Sequence, residues 1–193
     1  GTSHFNLQNY NGAIDAYRAL VQNFPESEFA SASLNNMALA QKKLQLLSDA
    51  ADTYSKLALT YPNDPYAKDA LFEVGKIKRD LKLYGEAILV LKDLEPKLPA
   101  GDDRKHEALA IIAESYQGSG DLDEAVKTLR QLSAAVPGSS PWKLEAFRQM
   151  GEIYEKKESW GDAVSIYEEG GRLSSNPQVS ASFRQRAKYL RET

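Results

Sequence analysis

The chain has 193 residues, 42% apolar and 26% charged, with a formal net charge of -3. That balance excludes a disordered chain and argues against a nucleic-acid binder, which needs a basic face to replace phosphate counterions. With no cysteine there is no disulfide, thiolate metal site or cysteine nucleophile, and no apolar run is long enough to span a membrane.

Residues 1–8 read as the last turns of a helix. Residues 9–12 read as a tight turn, with Asn9 and Gly12 supplying the unusual backbone angles. From Ala13 the apolar residues Ile14, Tyr17, Leu20, Val21 and Phe24 fall at helical spacing, and Pro25 ends that helix. Ser27 is placed to cap the next helix, marked by Phe29, Leu34, Met37, Ala38, Gln41 and Leu44. A second helix over about 48–61 follows, capped by Ser48 and stopped by Pro62. Asp64-Pro65 starts another, carrying Leu71, Val74, Gly75 and Ile77; a turn near Lys82 then leads to a helix over 84–98 and Pro99.

The loop Ala100-Gly101-Asp102-Asp103 opens a stripe of Leu109, Ile112, Ala113 and Tyr116. Gly118-Ser119-Gly120-Asp121 is a turn before a helix over 122–136. The connector Pro137-Gly138-Ser139-Ser140-Pro141 leads to Phe147, Met150, Gly151 and Tyr154, then to a helix from Trp160 to about 172. Gly170-Gly171 is poor in helix propensity, so this helix is expected to end early. Residues 178–192 form one more helix, with Val179, Phe183, Ala187 and Leu190 on one side and Arg184, Arg186, Lys188 and Arg191 elsewhere.

One register runs through all of this. Ala13, Ala50, Ala87, Ala125 and Ala163 are spaced by 37, 37, 38 and 38 residues. Three residues before each stands Tyr10, Leu47, Tyr84, Leu122 or Trp160, and four after it Tyr17, Tyr54, Leu91, Leu129 or Tyr167. Twelve after it stands Pro25, Pro62, Pro99 or Pro137, and twelve before it Gly1, Ala38, Gly75, Ala113 or Gly151. A fixed period of this size marks a solenoid of stacked helical units. Gly1 falls in mid-repeat, so the natural N-terminus is expected upstream, a tag remnant being the alternative. The repeats are expected to form one solenoid over 1–193, in units of about 1–25 (partial), 26–62, 63–99, 100–137 and 138–177, with 178–193 as a terminal helix.

These residues resemble the tetratricopeptide repeat over nearly the whole chain. The resemblance implies an all-α, helix-turn-helix solenoid wound as a right-handed superhelix, with about five repeats plus a terminal helix. Small residues such as Gly75 and the anchor alanines would let paired helices approach. Two features depart from the family pattern. The usual repeat has 34 residues, and here the extra residues follow the proline, which implies first helices longer by about a turn. Leucine also replaces the small residue usual seven positions after the anchor. The stretches Phe24-Pro25-Glu26-Ser27-Glu28-Phe29-Ala30 and Tyr61-Pro62-Asn63-Asp64-Pro65-Tyr66-Ala67 are similar to those of bacterial cell-envelope members, such as the Tol-Pal-associated coordinator and the lipoprotein of the outer-membrane β-barrel assembly machine. That likeness implies a periplasmic or outer-membrane-associated location, with the cytoplasm left open.

Chemistry is sparse. His4 and His106 have no second His or Cys at ligand spacing, so no metal is expected. Gly118-Ser119-Gly120 lacks the following Gly-Lys-Ser/Thr and the preceding strand of a phosphate cradle. Glu155, Glu168 and Glu169, with Lys156 and Lys157 nearby, read as an exposed charged face rather than paired catalytic acids. Tyr17, Tyr54 and Tyr167 recur at a core position. No catalytic residue, cofactor or enzymatic activity is expected.

First helices of this family line a concave groove where partners dock, and the register places Asn35, Asn36, Leu39, Lys42, Phe72, Glu73, Lys76, Arg79, Ile111, Glu114, Gln117, Arg148, Glu152 and Glu155 there. The binding set expected from this is Asn35, Leu39, Phe72, Lys76, Arg79, Ile111, Glu114 and Gln117. Phe72 and Ile111 either present apolar anchors to a ligand or pack against the neighbouring repeat. Some members clamp a partner's C-terminal carboxylate with Lys, Asn and Arg; here Glu73, Glu107 and Glu145 stand at such positions, so no clamp is expected. The implied function is a noncatalytic scaffold for a protein or peptide, with no nucleic-acid partner. The alternatives are a self-assembly module or the targeting arm of an enzyme lying upstream.

Overall fold

The computed structural model describes residues 1–99, 101–138 and 140–192; Ala100 and Ser139, expected in connecting loops, lie outside the described residues. The chain divides into two compact units, Gly1–Pro99 and Ala100–Thr193. The first holds α1 (Thr2–Asn6), α2 (Tyr10–Asn23), α3 (Ala30–Lys43), α4 (Leu47–Thr60), α5 (Tyr66–Asp80), α6 (Tyr84–Leu94) and a 3-10 turn at Glu95–Lys97. The second holds α7 (Arg104–Ser119), α8 (Leu122–Ala135), α9 (Pro141–Lys156), α10 (Trp160–Leu173) and α11 (Pro177–Glu192). Among the described residues every regular element is helical, and no helix is long and apolar enough to cross a membrane.

In each unit successive helices pack on one another, and the first helices α3 and α5 also touch. The five register alanines are fully buried, each with 0% exposure. The residues four positions after them, Tyr17, Tyr54, Leu91, Leu129 and Tyr167, are buried as expected. Opposite Leu91 and Tyr167, glycine on the first helix makes the room. A β-carbon added at Gly75 would collide with the Leu91 side chain, and one at Gly151 with the Tyr167 ring. Of the large residues three positions before the alanines, Tyr10, Leu47, Tyr84 and Leu122 are half-buried, whereas Trp160 is exposed.

The turns inside each helix pair repeat as faithfully as the core. Gln8, Gln45, Lys82, Gly120 and Glu158, each five residues before an alanine, all have left-handed backbone with φ of 59°, 60°, 60°, 89° and 57°. The next residue's N–H donates back to a carbonyl five positions earlier: Leu46 to Gln41 at 2.9 Å, Leu83 to Lys78 at 2.8 Å, Ser159 to Tyr154 at 2.9 Å. This closes the first helix and satisfies its last carbonyls. Only one of the five is glycine, so the other four bear the β-carbon cost of that conformation. Gln45→Gly and Lys82→Gly are each expected to raise stability by up to about 1 kcal/mol, measured as a higher urea midpoint.

Several boundaries differ from the sequence expectation. The tight turn lies at Leu7 and Gln8 rather than at 9–12: Asn9 caps α2, its side chain accepting from the Gly12 N–H at 3.0 Å. Ser27 caps no helix; its hydroxyl accepts from Phe29 N–H within a turn, and α3 begins at Ala30. Ser48 lies inside α4, because the left-handed Gln45 sets the reversal and Leu47 opens the helix. Pro96 converts the end of α6 into the 3-10 turn, so the helix stops at Leu94. In the first unit the extra residues of the period lie mainly in the turns after Pro25 and Pro62: the first helices α3 and α5 have 14 and 15 residues against 14 in α2 and α4. In the second unit α7 and α9 reach 16 residues against 14 in α8 and α10.

The helix expected to end early does not. α10 runs through Gly170 and Gly171 to Leu173 at the full 14 residues. The two glycines let α11 settle on α10. A β-carbon at Gly170 would stand 2.8 Å from the Phe183 ring, and one at Gly171 3.3 Å from the Ser180 carbonyl oxygen. The Ser180 hydroxyl donates to the Gly171 carbonyl at 2.6 Å. Tertiary packing overrides propensity here.

Candidate functional site

The expected binding residues fall in both units. In the first, Asn35 and Leu39 on α3 and Lys76 and Arg79 on α5 are half-buried, while Phe72 is buried with 5% exposure. Glu73 ties the two helices: Lys42 from α3 and Lys76 from its own helix both pair with it, Lys76 at 3.2 Å. The Lys76 ammonium also lies 5.5 Å from the centre of the Phe72 ring. Burial alone would raise the Glu73 carboxyl, but the hydrogen bond and charge of Lys42 and the charge of Lys76 outweigh it and hold it below the ordinary carboxylate value. In the second unit Ile111 is buried at 2% exposure, and Glu114 and Gln117 on α7 are half-buried. Gln117 donates to Gln149 of α9 at 2.9 Å. Phe72 and Ile111 thus pack inward, and neither is an exposed anchor.

A cavity of about 940 Å³ lies in the second unit between α9 and α11. One face of α9 supplies Leu144, Arg148, Glu152 and Glu155, at steps of four, four and three residues so that they stack on one side, with Glu145 beside Leu144. α11 supplies Val179, Ser182, Phe183 and Arg186 at the same kind of spacing. Tyr167 of α10 also lines it, as does the connector Ser174 to Asn176. The Tyr167 and Phe183 rings are 6.1 Å apart at their centres, inclined by 47°. Asn176 fixes the start of α11, its side chain accepting from Gln178 N–H at 2.9 Å and Val179 N–H at 3.3 Å.

Most of the charged groups lining the cavity are paired, along α9 and between α9 and α11. Arg148 donates to Glu145, at 2.8 Å through Nε, and to Glu152 one turn on. Gln149 adds a 2.9 Å bond to Glu145. Arg186 grips both oxygens of Glu155, and the Tyr167 hydroxyl donates to Glu155 Oε1 at 2.6 Å. Glu155 is therefore not on a solvated face as expected; its side chain is 15% exposed and ties α9 to α10 and α11. Glu168 is half-buried and pairs with Arg191 at 2.6 Å. Among the described residues no three His, Cys, Asp or Glu side chains are placed to hold a metal ion.

These pairings set the acid response. The hydrogen bond from Arg148 holds Glu145 below the ordinary carboxylate value, and that from Arg186 does the same for Glu155, each against the opposing effect of burial. Burial, then the bond to Glu155, pushes the Tyr167 phenol upward. A carboxylate with a lower folded than unfolded pKa adds stability that is complete above the unfolded value, about 4.3 for glutamate, and is lost as the pH falls through the folded one. The second unit is expected to weaken on acidification below about pH 4, and Glu155→Gln to make that loss shallower while lowering stability at neutral pH. Thermal unfolding followed by circular dichroism between about pH 6 and about pH 3 checks this.

The expected groove set for the fifth repeat, Arg148, Glu152 and Glu155, does line this cavity. Leu144, Val179, Phe183 and Arg186 were not anticipated as lining. A signal existed: Gly170 stands where the other second helices carry Leu20, Leu57, Leu94 and Leu132, leaving space that Phe183 takes.

Residues 1–27 and 107–139 match the tetratricopeptide repeat family model. No curated protein matches the chain in sequence. Among solved structures, MamA 41-end from Desulfovibrio magneticus RS-1 aligns at a TM-score of 0.65 with 16% identity, over 89% of this chain and 89% of that one. YrrB, described as a TPR protein with an unusual peptide-binding site, aligns at 0.66 with 15% identity over 95% and 88%. The C-terminal part of a TPR repeat-containing protein from Cytophaga hutchinsonii aligns at 0.68 with 16% identity over 99% and 70%. With the helix pairs, the recurring left-handed turns and the buried alanines, these matches show that the chain has the fold of tetratricopeptide-repeat proteins and carries two stretches that match the family's model.

Proposed function

We propose that the chain is a noncatalytic scaffold that holds a peptide or protein segment in the groove between α9 and α11. The observation that carries this is the cavity itself, about 940 Å³ and lined by the apolar Leu144, Val179 and Phe183 together with paired charges, which is the make-up of a recognition site. The peptide-binding site named for the structurally similar YrrB supports the same use of the fold. In the first unit, the half-buried Asn35, Leu39, Lys76 and Arg79 offer a second contact face. The loop sequences around Pro25 and Pro62 support a bacterial envelope setting, periplasmic or outer-membrane-associated.

Ser182 is exposed on α11 and lines the cavity. Ser182→Trp fills the groove without touching the core. Peptides selected on the wild-type chain from a displayed library are expected to bind this variant at least about tenfold more weakly, with the thermal midpoint unchanged. Unaltered affinity would remove the groove from the reading.

A further inference from the structure

We infer that the segment taken by the α9–α11 groove is uncharged where it enters and is anchored by apolar side chains, so that recognition runs without a net electrostatic term. This rests on the reading of that groove as a peptide site. Its walls carry three carboxylates, Glu145, Glu152 and Glu155, and three cations, Arg148, Lys156 and Arg186. They cancel, and the arginines are committed. Arg148 is shared by Glu145 and Glu152, and Arg186 holds both oxygens of Glu155. A carboxylate entering here would have to take Arg148 from two glutamates or Arg186 from one, or settle on Lys156, which is exposed and holds an anion only weakly through water. A cation would have to draw a glutamate off its arginine. Either exchange leaves one of the protein's own charges without its partner, at Glu155 with its side chain 15% exposed and at Arg148 and Glu152 about half exposed, and that loss offsets the new contact. An apolar side chain meets Leu144, Val179 and Phe183 and disturbs no pair.

Isothermal calorimetry with three end-blocked peptides tests this. All carry the same leucine and phenylalanine anchors at helical spacing, with glutamine, lysine or glutamate between them. The glutamine peptide is expected to bind about tenfold more tightly than either charged one, and its affinity to change by less than about twofold between about 50 mM and about 500 mM sodium chloride. Glu152→Gln, which unbalances the wall by one charge, is expected to make the glutamate peptide bind about fivefold more tightly than the lysine peptide. A charged peptide that equals or beats the neutral one in the wild-type chain, with binding still sensitive to Ser182→Trp, overturns this inference and leaves the groove reading intact. No binding by any of the three, or binding indifferent to Ser182→Trp, overturns both.

Discussion

Leucine at position 170 is expected to destabilise the second unit, although Leu20, Leu57, Leu94 and Leu132 occupy the same register in the other second helices. Gly170 is buried in a full-length helix, and its missing side chain is replaced by the ring of Phe183, 2.8 Å from where a β-carbon would stand. Four carbons inserted there force Phe183 out and lift α11 from α10. Overpacking of this kind costs about 3 kcal/mol, which the gain in helix propensity of about 1 kcal/mol does not recover. Gly161, near the start of the same helix, has nothing within 4 Å of an added β-carbon. Gly161→Ala is therefore expected to cost nothing, which separates a glycine needed for packing from one that is not. Urea unfolding of the two variants gives the comparison. Because Phe183 and α11 also form one wall of the cavity, Gly170→Leu is expected to lose peptide binding as well.

Phe72→Ala is expected to lower the stability of the first unit by about 3 kcal/mol or more, because the ring is buried at 5% exposure rather than offered to a ligand. Asn35→Ala, a half-buried change on the neighbouring face of α3, is expected to cost less than about 0.5 kcal/mol. If Phe72 were a surface anchor, its removal would weaken binding and leave the urea midpoint in place. A midpoint unchanged by Phe72→Ala contradicts the inward placement.

The two cases show where the sequence is legible. The alanine register, the small residues facing Leu91 and Tyr167, and the prolines are all readable because each depends on a side-chain type repeated at one period. The left-handed turns repeat just as strictly, yet Gln8, Gln45, Lys82 and Glu158 share no side-chain signature. Their conformation follows from the closing hydrogen bond and the pull of the flanking helices, not from the residue. Phe72 and Ile111 fall on the groove side by register, but register gives an angle around a helix and not the depth to which a neighbour covers it. The Gly170-Gly171 pair carries a local signal for a helix end, and contact with α11 overrules it. The cavity was half legible: Arg148, Glu152 and Glu155 follow from the repeat, whereas Val179, Phe183 and Arg186 belong to a helix that departs from it. Glu155 looked solvated because its sequence neighbours are lysines; its real partners, Tyr167 and Arg186, are 12 and 31 residues away.

Amide chemical shifts recorded while the tightest selected peptide is titrated into the uniformly labelled chain test the groove most directly. The expected result is that perturbations concentrate on the α9 face of Leu144, Arg148 and Glu152 and on Val179, Ser182 and Phe183 of α11, and vanish in Ser182→Trp. Perturbations confined to α3 and α5, or to the outer surface of α8 and α10, would contradict it.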